Sequence, residues 1–149
     1  MTFDGFIAGP NNKLDWMLQT ADQEMTGDIV SMLKSADTGF MGYPTAVGMI
    51  PYWSSTAKNQ SASKGEHDIA QVVNNVHAIV ISNRQEKLEW DNSELLLVED
   101  DKDLVAAVAK IKRRTGKNIG VPGGVRTGQT FVRLGLIDEY ILMVHPVTI

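Results

Sequence analysis

The feature that most constrains this chain is the alternation of apolar strands with amphipathic helices through its second half. Val76 to Ser82 (VHAIVIS) is rich in β-branched residues and reads as a buried strand, and Leu95 to Val98 reads as another. Asp100 to Arg114 reads as a helix whose apolar stripe is Leu104, Val105, Val108 and Ile111. Asp100, Asp101 and Asp103 crowd its start and Lys110, Lys112, Arg113 and Arg114 its end, each favourable to the helix dipole. Gly116 stops it. A strand (Asn118 to Val121), a glycine turn, a helix (about Arg126 to Leu134) and a last strand (Glu139 to Val147) complete the pattern. Strand–helix–strand–helix–strand argues an α/β fold with a mainly parallel central sheet flanked by helices.

The first half fits the same class with weaker signals. Gly5 to Trp16 holds two glycines, Pro10 and the pair Asn11-Asn12, so it reads as a loop ending on an aromatic anchor. Met25, Ile29, Met32 and Leu33 share one helical face, and Thr38 to Met41 is compatible with a strand. Ser54 to Asp68 is the most polar stretch and reads as a surface loop. With 149 residues, one domain spanning 1–149 is expected.

Composition removes whole classes of chemistry. There are no cysteines, hence no disulfides, thiolate nucleophiles or thiolate metal sites. The net charge of -4 disfavours a nucleic-acid partner, and the one basic cluster, Lys110 to Lys117, is better read as a helix end. No apolar run reaches the roughly 18 residues that a membrane span needs. The start, with Asp4 and no basic segment, does not read as a signal peptide, so a cytoplasmic protein is expected. His67, His77 and His145 lack metal-ligand spacing, and no metal is expected.

Three strand ends could carry chemistry. In Val121-Pro122-Gly123-Gly124-Val125-Arg126 a strand ends, two glycines follow and a helix begins. Glycines let a ligand approach the backbone, and the helix start behind them offers free N–H groups suited to phosphate. A tight turn without a ligand explains the same residues. In Met41-Gly42-Tyr43-Pro44-Thr45, Thr45 could hold a phosphate or cap a helix. Ser82-Asn83-Arg84 follows the VHAIVIS strand, where ligands of open α/β sheets collect. Three such ends along one sheet edge would suit an extended phosphorylated ligand such as a dinucleotide. Asp4, Asp15 and Asp22 could each protonate or bind a substrate. Trp16, Trp53 and Trp90 read as core or pocket walls.

In order and spacing, this set resembles the bacterial dihydrofolate-reductase-like family, which includes the C-terminal reductase domain of the bifunctional riboflavin-biosynthesis deaminase/reductase. The resemblance rests on Asp4-Gly5-Phe6-Ile7-Ala8-Gly9, Leu14-Asp15-Trp16, Met41-Gly42 with Thr45, Ser82-Asn83-Arg84, Gly123-Gly124, Gly135 to Tyr140, and Val144-His145-Pro146-Val147. It implies NADPH, with NADH not excluded, along the carboxyl edge of the sheet. It also implies hydride transfer to a pterin or pyrimidine-type heterocycle. By position it implies cofactor contacts at Ala8, Leu14, Gly42, Thr45, Ser82, Asn83, Arg84, Gly123, Gly124, Val125 and Arg126, with a cis peptide often joining the glycine pair. Asp22, Asp4 and Trp16 are the implied catalytic positions, Asp22 being nearest by distance after Trp16 to the family's substrate carboxylate, with Glu24 as the alternative. Tyr43 stands where the family usually has arginine.

Against the family the chain reads as short at both ends. Two readings follow, an NAD(P)H-dependent reductase and a nucleotide-binding module of the same fold without catalysis. Tyr140 to Val144 is five apolar residues in a row, too many for a strand with one wet face. It is expected to be central in the sheet or covered by a second copy, and a homodimer is expected.

Overall fold

The computed structural model describes residues 1–19 and 22–149, without the side chains of Asn12, Leu18 and Gln19. A 3-10 turn at Pro10–Asn12 leads into α1 (Asp15–Gln19), α2 (Gln23–Lys34), β1 (Ala36–Gly42), α3 (Tyr43–Thr56) and α4 (Lys64–Asn75). Then follow β2 (His77–Ser82), β3 (Ser93–Leu97), α5 (Asp101–Ile111), β4 (Asn118–Gly120) and α6 (Val125–Arg133). The four strands form one sheet in the order β3-β2-β1-β4, every pair parallel. Helices cover both faces, as expected for strands apolar on both sides.

Alternation along the strands divides the core in two. Phe40 and Ile79, partners in register, point to one face and pack with Leu104, Val108 and Ile111 of α5 and Phe131 of α6. Met41, Ala78 and Val80 point to the other and pack with Ala46 of α3. The Phe40 and Phe131 rings lie 5.2 Å apart and tilted, which ties α6 to the middle of the sheet. Arg133 grips Asp101 through two hydrogen bonds of 2.7 and 3.0 Å and ties α6 to α5. At the far end of the sheet, Asp37 accepts from the Lys117 backbone N–H at 2.7 Å. That bond and the Thr38 hydroxyl hold the Asp37 carboxyl below its ordinary range.

Two expectations change. Ser54 to Asp68 is mostly helical: α3 runs to Thr56 and α4 starts at Lys64, leaving only a short connection. The cause is a capping box in which Ser63 Oγ accepts from the Glu66 N–H while the Glu66 carboxylate accepts from the Ser63 N–H. The Thr56 hydroxyl, buried here, donates to the Tyr52 carbonyl at 2.9 Å.

The second change is at the end of the chain, where Glu139 to Val147 forms no strand among the described residues. Its apolar composition suits a ladder, but residues 139–144 pair with no neighbouring strand, and composition cannot replace a partner. Its main chain meets the N-terminus instead: the Met143 carbonyl accepts from the Met1 amino group at 2.6 Å, and His145 forms an isolated parallel bridge to Thr2. Tyr140, Ile141, Leu142 and Val144 are therefore exposed rather than central in the sheet.

Candidate functional site

The carboxyl ends of β2, β1 and β4 lie side by side. Gly42 is level with Ile81, one residue before Ser82, and Gly39 is level with Gly120, where β4 ends. The three segments singled out from sequence thus share one sheet edge, at strand spacings of about 4.8 Å.

Two helices start there, and they interlock. Gly42 is the N-cap of α3 and Gly124 the N-cap of α6. A Cβ on Gly124 would lie 2.8 Å from Thr45 Oγ1, the third residue of α3. A Cβ on Gly42 would lie 2.9 Å from Thr127 Oγ1, the third residue of α6. Each missing side chain leaves the space that the other helix's threonine fills. Gly124 also has φ +88, which side-chain-bearing residues rarely adopt. The family-implied cis peptide is absent, and the bond between Gly123 and Gly124 is trans.

Electrostatically the pair stands apart. Helices α2, α4 and α5 each have a side-chain cap, from Asp22, Ser63 and Asp100. Neither α3 nor α6 has one. Their first-turn N–H groups and dipole ends therefore converge, uncapped, on a cradle rimmed by two hydroxyls, which suits an anion such as a diphosphate.

The other implied residues divide. Arg126 is exposed in the first turn of α6, and a Cβ added to Gly123 would meet Thr45 and Met49 at ordinary contact distance. Ser82 Oγ accepts from the Arg84 N–H at 3.2 Å. The Arg84 guanidinium is 81% exposed and pairs with Glu86 at 3.1 Å, and Asn83 is exposed beside it. Ala8 and Val125 face each other across a cavity of about 370 Å³ between the opening loop and α6, where Gln129 is a further wall. Leu14 is exposed and lines neither this cavity nor the next.

The implied catalytic carboxylates hold structural positions. Asp22 caps α2, its Oδ1 accepting from the Met25 N–H at 2.7 Å. Asp4 accepts from the Ile149 N–H at 3.2 Å, and the Thr2 hydroxyl followed by that N–H holds its carboxyl below the ordinary range. Trp16 is buried, edge-on to His145 with centroids 5.0 Å apart. It walls a second cavity of about 410 Å³ together with Lys13 and Asp15. Sequence reasoning missed Thr127 and Gln129. The signal for Thr127 was the one used for Thr45, a hydroxyl three residues after a glycine at a strand end.

Residues 1–149 match the family described as RibD C-terminal domain. The chain belongs to that family. The RibD C-terminal domain is a reductase-like fold of riboflavin biosynthesis, and its members generally bind NADPH. The cradle fits such a group, since neither helix start carries a side-chain cap and the Thr45 and Thr127 hydroxyls stand beside them. The Bacillus subtilis (strain 168) protein named "Uncharacterized protein YyaP" is 28% identical over 149 residues, covering all of this chain and 72% of that one. A crystal structure from Shewanella sp. PV-4, of a protein whose name proposes without establishing a part in riboflavin biosynthesis, superposes with a TM-score of 0.66. It is 24% identical and covers 99% of this chain and 74% of its own, a likeness of fold. Among the described residues, no helix is long and apolar enough to cross a membrane, and no cluster of potential ligands could hold a metal ion.

Proposed function

We propose that the chain is an NAD(P)H-dependent reductase acting on a pterin or pyrimidine-type heterocycle. The observation that carries this reading is the interlocked pair of uncapped helix starts at Gly42 and Gly124. Their N–H groups and the Thr45 and Thr127 hydroxyls would hold the diphosphate of the dinucleotide. Ser82, Asn83 and Arg84 would meet its adenosine end, one strand over. NADPH is the favoured form on family grounds, although Glu86 already engages Arg84. The Ala8 and Val125 cavity would hold the nicotinamide. A bound nicotinamide dinucleotide supplies the hydride. The protein's part is to orient two flat rings face to face, exclude water and hold a proton near the acceptor.

Titration with NADPH and with NADH, followed by energy transfer from the tryptophans and by thermal shift, tests this. A response to at least one is expected, and none with either refutes it. A second reading, a nucleotide-binding module without chemistry, is favoured by the structural employment of Asp4 and Asp22. Binding without oxidation of the cofactor, for any pterin, pyrimidine or flavin-type acceptor, would select it. We also propose a homodimer in the cytoplasm, with the exposed 140–144 segment at the contact.

A further inference from the structure

We infer that Glu86 sets the dinucleotide selectivity of this chain: by engaging Arg84 it cancels the preference for a 2′-phosphate, so that NADH is accepted as readily as NADPH. This deepens the reductase reading, rests on it, and revises the family-based preference for NADPH.

The first argument is charge. The two dinucleotides differ only in the phosphate on the adenosine ribose, which carries about −1.5 to −2 at neutral pH. Favouring that phosphate takes a cation free to meet it. The segment after β2 brings two cations, Arg84 and Lys87, and each already has a carboxylate. Arg84 Nε donates to Glu86 Oε1 at 3.1 Å, and Lys87 Nζ donates to Glu89 Oε1 at 2.9 Å. From Ser82 to Trp90 the formal charges therefore cancel. Arg126 lies in the first turn of α6, behind β4, and β4 is two strand spacings, roughly 10 Å, from β2.

The second argument is burial. The Arg84 side chain is 81% exposed, whereas that of Glu86 is only 19% exposed. A long exposed cation can swing away, but a carboxylate packed into the segment stays where it is. Arg84 can thus reach a phosphate only by leaving a mostly buried carboxylate unpaired, and that carboxylate then repels the phosphate.

The third argument is position. Leu88 and Trp90 pack against Met41, Ala78 and Val80, as does Tyr43, the first residue of α3. The segment carrying Glu86 is thereby fastened to the sheet beside the end of β1. There Tyr43 contributes an aromatic ring rather than a cation.

The test is calorimetric titration of wild type, Glu86→Gln and the double variant Arg84→Ala/Glu86→Gln with NADPH and NADH. It is repeated with 2′,5′-ADP and 5′-AMP, which differ by the 2′-phosphate alone. Wild type should bind NADPH no more than about fivefold more tightly than NADH, the most that an exposed and already paired cation gives. Glu86→Gln keeps the shape and removes the charge. Its NADPH-to-NADH affinity ratio should rise about tenfold or more over wild type, the effect of one freed charge-assisted contact, and the fragment ratio should rise with it. The double variant should lose that gain, because it runs through the Arg84 guanidinium. A larger wild-type preference for NADPH, a Glu86→Gln ratio equal to that of wild type, or a double variant that keeps the gain overturns the inference and leaves the reductase reading standing. Binding of neither dinucleotide by wild type and by Glu86→Gln sinks both.

Discussion

Gly124→Ala probes the cradle most directly. At φ +88 an alanine is strained by roughly 1–3 kcal/mol. Its Cβ would also stand 2.8 Å from Thr45 Oγ1 and 3.3 Å from Thr127 Oγ1, so one helix start must shift, an overpacking cost of about 1–3 kcal/mol. Together these reach roughly 2–6 kcal/mol, against a total stability of about 5–15 kcal/mol for a domain. At about 2–4 °C per kcal/mol for a chain of this size, melting should drop by roughly 4–24 °C. NADPH affinity should fall at least about tenfold, because the added methyl group pushes a helix start aside, and with it the N–H groups and hydroxyls that would hold the diphosphate. The double variant with Thr45→Ala removes the nearest oxygen. It should recover part of the melting loss, leaving the backbone strain, and a double-mutant cycle should read a positive coupling. A Gly124→Ala protein that melts within about 2 °C of wild type and binds NADPH normally would make the glycine a mere turn and refute the reasoning.

Three further outcomes are expected. Ser63→Ala removes one side of the capping box at the start of α4, far from the cradle, so denaturant melts should show a loss of about 1 kcal/mol with NADPH binding unchanged. Burial holds the His145 imidazole below its ordinary value of 6.5, so the unfolded chain takes up that proton more readily than the folded one. The contribution is full above about pH 6.5 and is lost as pH falls from there toward the folded pKa; equal urea midpoints at about pH 7.5 and 5.5 would contradict it. Light scattering should give twice the 16.4 kDa chain mass and Leu142→Glu should halve it, since Leu142 is 67% exposed in the unpaired apolar segment; a soluble wild-type monomer defeats the dimer.

What was legible in the sequence was whatever is set locally. Helix α2 announced itself through an apolar stripe, and α5 through a stripe with Asp100 at its head, because a cap and a periodic face are both written within a dozen residues. Helix α4 was hidden because its one strong signal, Ser63 with Glu66, lay inside a run polar enough to pass for a loop. The 139–144 segment misled in the opposite direction. Its composition is that of a strand, but a strand needs a neighbour, and pairing between distant segments is not written in either of them. The cradle divides along the same line. Gly42, Thr45, Gly123 and Gly124 could be named from strand–glycine–helix patterns, each a local matter. That Thr45 fills the space beside Gly124, and Thr127 the space beside Gly42, depends on β1 and β4 being neighbours although more than seventy residues separate them. The carboxylates follow the same logic. Distance along the chain pointed to Asp22, while the pull of an uncapped helix end made it a cap and left Asp15, beside the buried Trp16, facing open space.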